Sequence, residues 1–338
     1  MEAVLMREEA LARPDSERPG KLDVTLRSIT SLAENINAFE FASLDGSPLP
    51  VFSAGSHVDV HLPGGTIRQY SLCNSPDERS RYVVAVLRDP AGRGGSVAMH
   101  DTLRAGQKLV ISTPRNHFSL DPSARKHVFI AGGIGITPIM AMLDEVQRRG
   151  DNFHLYYCAR TPQRAAFLDR LKPLVEKGLV SLHFDDGDPD KGLDLASTLK
   201  TYAESTHLYY CGPGRFMDAI EAASAHWPTG SRHCERFSAS GANARASVDA
   251  SETPFEVELR RSAKRCTVQP GESIVDALRA HGVDVDTSCC EGYCGTCMTR
   301  YLAGEPLHRD TVLDEEDREE FVMICCSRSK SPTLVLDL

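Results

Sequence analysis

The sequence predicts three packed units in series: an antiparallel β-barrel or sandwich, a parallel α/β layer, and a small α+β unit. Three observations carry this expectation. Short alternating apolar runs divided by turn signals fill residues 21–121. Between 122 and 237 the pattern changes to apolar strand, turn and helix. Beyond a small-residue, polar stretch at 238–253, four cysteines crowd into the nine residues from Cys289 to Cys297.

A chain of 338 residues has room for about two or three domains, and 41% hydrophobic content supplies their cores. A net charge of −9 argues against nucleic acid or an anionic membrane surface as partner. No apolar run reaches the length that spans a bilayer. The first residues lack a basic segment followed by an apolar core, so no secretory signal is expected and a cytoplasmic location is. Eleven cysteines, an odd number, then suggest metal or redox work.

Residues 1–20 are polar, with Pro14 and Pro19, and read as a loose tail. From Lys21 the runs KLDVTLRSIT, INAFEFASL, HVDVHL and RYVVAVLRD alternate, as strands do. Two stretches among them can carry chemistry. In Arg68-Gln69-Tyr70-Ser71 an arginine can hold a phosphate, a tyrosine can lie on a flat ring and a serine can hydrogen-bond one. An ordinary strand is the plain alternative. Gly92-Arg93-Gly94-Gly95-Ser96 can form an anion nest or simply a glycine-rich hairpin.

HVFIAGGIGITPIMAMLDEVQRRG reads as strand, glycine turn and helix. Thr137 is expected to cap that helix, with Pro138 first inside it. The turn places Gly132, Gly133 and Gly135 at the helix start, where a pyrophosphate would sit. It is not the G-x-G-x-x-G dinucleotide fingerprint, because Pro138 takes the last glycine's place. Strands HLYYCAR, LVSLHF and HLYYCGPG then alternate with helices PQRAAFLDRLKPLVEKG, LDLASTLKTYAE and RFMDAIEAASAH. Such text argues for a covered parallel sheet, with ligands at the strands' carboxyl ends: Cys158-Ala159-Arg160 and Cys211-Gly212-Pro213.

Residues 238–253 read as a linker. Beyond it come a hairpin (FEVELRR, KRCTVQP), a helix opened by Ser273 with Asp276 three residues on, the cysteine loop, and strands TRYLAGE and TLVLDL. The run DEEDREE at 314–320 reads as a solvated helix face or a docking surface for a basic partner. Cys289, Cys294 and Cys297 have C-x4-C-x2-C spacing, and Cys325 can add a fourth thiolate, as in a plant-type [2Fe-2S] centre. A zinc site, usually built from two C-x2-C knuckles, and a metal-free loop are the rivals. Cys290 competes with Cys289 but would give C-x3-C, and Cys326 competes with Cys325.

Read in order, these are a flavin-like, a dinucleotide-like and an iron–sulfur site. The motifs R-x-Y-S-L-C-N at 68–74, G-R-G-G-S at 92–96, G-G-I-G-I-T-P at 132–138, C-G-P at 211–213, the cysteine loop and C-x-S-R at 325–328 together closely resemble the phthalate dioxygenase reductase family. That family includes the vanillate demethylase and phenoxybenzoate dioxygenase reductases. The resemblance implies a ferredoxin-reductase-type antiparallel β-barrel for FMN at 21–121 and a parallel-sheet NAD domain at 122–237. It also implies a plant-type β-grasp ferredoxin domain at 254–338.

By the same resemblance Arg68, Gln69, Tyr70 and Ser71 contact the flavin, Val86, Leu87 and Arg88 flank its ring, and Gly94, Gly95, Ser96 and Val97 hold the FMN phosphate. Phe237 would cover the ring. Gly132, Gly133, Gly135, Thr137, Pro138, Arg160, Gly212 and Pro213 would meet NADH. Cys211 and Ser71 would serve catalysis, and Cys289, Cys294, Cys297 and Cys325 would hold the cluster. The implied function is an NADH-dependent reductase component that passes electrons through FMN and [2Fe-2S] to a terminal Rieske-type oxygenase, acting as a monomer. A reductase for a cytochrome P450 or other hydroxylase, and a non-catalytic iron–sulfur or zinc sensor, are the alternatives.

Overall fold

A computed structural model describes residues 20–237 and 252–338; most of the expected tail and linker lie outside them. The first unit contains β1 (Lys21–Ala33), β2 (Ile36–Ser43), β3 (His57–His61), β4 (Ile67–Ser71), β5 (Tyr82–Leu87), α1 (Gly95–Thr102) and β6 (Lys108–Ser112). Its strands form an antiparallel sheet in the order β4-β3-β6-β1-β2-β5. The two edge strands approach at the isolated bridge Leu72–Val84, so the sheet curls toward a barrel without a continuous closing ladder. Alternation decides which side is inside: Val24, Leu26, Phe39, Phe41, Val58 and Val60 share one core. Each such fully buried side chain contributes roughly 1.5–3 kcal/mol. The glycine-rich stretch, expected as a nest or hairpin, runs into α1, with Gly94 as its left-handed N-cap at φ 76°.

The second unit contains β7 (Lys126–Gly132), α2 (Ile136–Arg149), β8 (Asn152–Ala159), α3 (Leu168–Glu176), β9 (Val180–Phe184), α4 (Leu195–Thr198), β10 (Thr206–Cys211), α5 (Gly214–Ala223) and β11 (Arg232–Glu235). All five strands are parallel, in the order β11-β10-β7-β8-β9. The chain winds one way from β7 to β9 and the other way through β10 and β11. The order therefore reverses between β7 and β10, where such sheets open a crevice at their carboxyl ends.

Local expectations need correction here. A 3-10 turn at Gly133–Gly135 feeds directly into α2, whose N-cap is Gly135. Thr137 is already helical, and its hydroxyl donates to the Ile134 carbonyl at 3.0 Å. Pro138 is the third helical residue, where its missing N–H is still one of the unpaired first-turn donors. The helix expected at 162–178 is split, because Phe167 takes a left-handed φ of 64°. The one expected at 193–204 stops at Thr198; Trp227 Nε1 donates at 2.9 Å to the Leu199 carbonyl, which a continuing helix would have used.

The third unit contains β12 (Phe255–Leu259), β13 (Arg265–Val268), α6 (Ile274–Ala280), β14 (Met298–Ala303), β15 (Pro306–Leu307), β16 (Phe321–Met323), β17 (Arg328–Ser329) and β18 (Thr333–Leu336). The main sheet runs β13-β12-β18-β14-β16, with β12 and β18 parallel and the other pairs antiparallel. Ser273 caps α6 by accepting from the Asp276 N–H. The acidic run forms a short 3-10 turn at Asp317–Glu319, half-buried at Asp317 and Arg318 and exposed at Glu319. One hydrophobic cluster joins Ile36, Cys73 and Ala85 of the first unit to Phe129, Ile139 and Met142 of the second. The third keeps a separate cluster, from Phe255 to Leu336. Among the described residues no helix is long and apolar enough to cross a membrane.

Candidate functional site

The switch point between β7 and β10 is built by glycine. A Cβ on Gly135 would stand 2.2 Å from the Cys211 carbonyl oxygen, and one on Gly132 would stand 2.8 Å from the Phe216 ring. Only hydrogen at those positions lets the α2 turn close against Cys211-Gly212. Gly133, at φ 52°, aims the turn, and Pro213 caps α5. Arg160 lies exposed just past the end of β8. Cys211 is fully buried, and burial pushes its thiol well up, so it stays neutral.

Glu235, which sequence reasoning missed, ends β11 in register with Cys211. Ser71 Oγ donates to Glu235 Oε2 at 3.2 Å. His57 Nδ1 lies 3.9 Å from the other carboxylate oxygen. Burial pushes Glu235 up to about 8, so it is a neutral acid at neutral pH. A raised folded pKa means that this proton's contribution is complete below the ordinary carboxylate range and is lost as pH rises through about 8. Between pH 6 and 9, Glu235→Gln should therefore gain stability relative to the native chain. Denaturant melts that give the same difference at both pH values would reject this assignment.

A cavity of about 450 Å³ opens beside this point. Arg68, Gln69, Tyr70 and Ser71 of β4, Val86 and Leu87 of β5, and Gly95 and Ser96 of α1 line one side. Ile134 and Thr137 of the glycine turn, and Phe237, line another. Ser288, Cys289, Glu291 and Tyr293 of the cysteine loop close it. The Arg68 stem lies so close that a Cβ on Gly95 would stand 2.3 Å from it. Gln69 of this lining has a buried Oε1 without a partner, an acceptor that a polar group such as a flavin ring would suit. Arg88 pairs instead with Asp101 at 2.8 Å; Gly94, Val97 and Arg88 are not in the lining. Arg93, expected to lend charge to an anion nest, lines the cavity, and its guanidinium donates to the Cys289 carbonyl.

In the cysteine loop Cys289, Cys294, Cys297 and Cys325 are all buried, whereas Cys290 is exposed and Cys326 intermediate. The sulfurs associate as Cys289 with Cys294 and Cys297 with Cys325, joined through Cys289 and Cys325. No three of them come within 4.8 Å of one another. A single zinc would draw all four to roughly 3.8 Å separations, so two pairs suit a two-iron cluster better. Backbone N–H groups of Cys289 and Glu291 point at Cys294 Sγ and Cys289 Sγ, at 3.4 and 3.3 Å, as ligand sulfurs require. The trio Asp121, His207 and His233 also gathers, but its imidazoles hydrogen-bond each other at 2.9 Å, occupying the atoms a metal would need.

Residues 257–330 match the 2Fe-2S iron-sulfur cluster binding domain. Residues 110–231 match the N-terminal domain of dimethylamine monooxygenase subunit DmmA-like proteins. Joined through one cavity to a nucleotide-type crevice, such a cluster domain makes the chain an iron–sulfur oxidoreductase. The reductase subunit of tert-butanol monooxygenase/tert-amyl alcohol desaturase from Aquincola tertiaricarbonis is 45% identical over 323 residues, covering 94% of this chain and 96% of that protein. A solved phthalate dioxygenase reductase, described as a modular structure for electron transfer from pyridine nucleotides to [2Fe-2S], is 41% identical. It covers 94% of this chain and 98% of its own, with a TM-score of 0.70. An intact type IV self-sufficient cytochrome P450 monooxygenase matches 94% of this chain over 41% of its own, at 39% identity and a TM-score of 0.82. The chain belongs to the phthalate dioxygenase reductase family.

Proposed function

We propose that the chain is the reductase component of a Rieske-type aromatic-ring dioxygenase or demethylase system, with NADH, FMN and a [2Fe-2S] cluster as its redox groups. One observation carries this reading: residues of all three units line the same 450 Å³ cavity, and Cys289 is among them. NADH supplies two electrons as hydride, the cluster accepts one at a time, and a flavin couples the two.

The chain's residues then divide the work. The α1 N-terminus at Gly95 and Ser96, with Arg68, holds the FMN phosphate. Gln69, Tyr70 and Ser71, with Val86 and Leu87 of the strand edge, orient the ring, and Phe237 covers it. Gly132, Gly133, Gly135, Thr137 and Pro138 admit the pyrophosphate, and Arg160 meets the adenosine side. Gly212 and Pro213 bound the nicotinamide, beside Cys211 and Ser71. Neutral Cys211 and Glu235 keep negative charge away from the arriving hydride. Cys289, Cys294, Cys297 and Cys325 hold the cluster. The functional units are residues 21–121, 122–237 and 254–338, and the protein acts in the cytoplasm as a monomer.

Purified protein should reduce cytochrome c with NADH and restore turnover to a Rieske oxygenase. Cytochrome c reduction no faster with NADH than without it would end this reading. The P450 fusion match favours one second reading, a haem monooxygenase as acceptor. Reconstitution with each oxygenase class separates the two.

A further inference from the structure

We propose that Asp59, Arg115 and Thr296 form a positioning latch that seats the cysteine loop against the cavity and tunes Cys294; this rests on the electron route above. Among the described residues the third unit shares no apolar core with the others, so polar contacts carry its docking. Gln69 N–H donates to Ser288 Oγ at 3.1 Å, and Tyr293 Oη donates to the Phe237 carbonyl at 2.8 Å. Lys21 and Asp286 pair at 3.3 Å, but both are about half exposed and contribute little.

The buried contact is different. Arg115 Nη2 donates to Asp59 Oδ2 at 2.8 Å and reaches Thr296 Oγ1 at 3.4 Å. Thr296 Oγ1 donates to Asp59 Oδ1 at 3.2 Å and stands 3.2 Å from Cys294 Sγ. Asp59 is 2% and Thr296 7% exposed. The flavin-side half is pre-built. Asp59 N–H bonds Ser112 Oγ at 2.9 Å, and Arg115 exchanges two backbone bonds with His57. Arg115 Nε and Nη1 are buried without partners, so this seam holds unused donors beside the cluster ligands. The approach also needs Gly295, where a Cβ would stand 2.9 Å from His117 Nε2.

Thr296 has one proton and, once Cys294 is a thiolate ligand, two acceptors. Asp59 Oδ1 and the sulfur compete for that proton, and when it turns to the sulfur Arg115 Nη2 still holds both Asp59 Oδ2 and Thr296 Oγ1. A hydrogen bond to a ligand sulfur raises a cluster's potential. The latch therefore couples the docked position to the ease of cluster reduction.

The test is stopped-flow reduction by NADH of the loaded protein, with cluster midpoint potential and small-angle scattering measured alongside. Thr296→Val should leave flavin reduction unchanged and slow the following cluster reduction about tenfold, as misplaced redox partners do. It should also lower the midpoint and enlarge the radius of gyration. Thr296→Ser should restore all three. Arg115→Lys, which keeps charge but loses the fork, should reproduce the slowing if the valine variant fails to fold. Native values of rate, midpoint and radius in a variant with an intact cluster would overturn the latch. Equal slowing of the flavin step, or no rescue by serine, would overturn it too. A native protein whose flavin and cluster both ignore NADH would instead refute the electron route.

Discussion

Cys325→Ser is expected to remove the cluster signal and all NADH-driven cytochrome c reduction, while Cys326→Ser and Cys290→Ser retain both. The sulfur of Cys325 is buried between those of Cys289 and Cys297. Cys326 Sγ touches Cys325 but not Cys289 or Cys297; it lies over Gly292, 2.6 Å from where a Cβ would sit, and donates to the Met323 carbonyl at 3.6 Å. Cys290 is exposed at φ 57°, a conformation that turns its side chain away from its neighbour's. Cluster binding is also folding free energy for a small unit, so Cys325→Ser should lower the unfolding temperature of the third unit. Iron analysis and low-temperature EPR read the result. Cluster loss in Cys326→Ser with retention in Cys325→Ser would reverse the ligand assignment.

Gly135→Ala is expected to lower kcat/KM for NADH by about a hundredfold, close to 3 kcal/mol of lost transition-state stabilisation. The added methyl would meet the Cys211 carbonyl at 2.2 Å and the Gly212 nitrogen at 2.7 Å. Both are backbone atoms, so the turn or the end of β10 must move, and that is where nicotinamide would be positioned. Overpacking of this kind also costs about 1–3 kcal/mol of stability. The cysteine loop lies outside the clash, so reduction of the cluster by dithionite should be unchanged. Native NADH kinetics in this variant would mean that the β7–β10 crevice is not the nucleotide site.

Much of this was legible because it rests on spacing and alternation. The C-x4-C-x2-C spacing selected Cys289, Cys294 and Cys297 over Cys290, the C-x-S-R resemblance pointed to Cys325 over Cys326, and the glycine turn landed at the topological switch point. What escaped depends on long-range contacts. Glu235 lies in a four-residue strand, Arg232–Glu235, too short for periodicity, and its role comes from register with Cys211 and the bond from Ser71. Asp59 and Arg115 read as ordinary strand and loop residues, because their partner Thr296 is far along the chain. Thr137 was misplaced as a cap because glycine turns extend helices without a side-chain signal; a buried polar residue opposite a motif strand would have been the clue for Asp59.

The most direct test of the central claim is an anaerobic NADH titration of the loaded protein, followed by visible absorption and EPR. The account predicts uptake of about three electrons per chain, two at the flavin and one at the cluster, with a rhombic reduced-cluster signal. Flavin bleaching without any cluster signal would contradict it, since the cavity would then not connect the nucleotide crevice to Cys289.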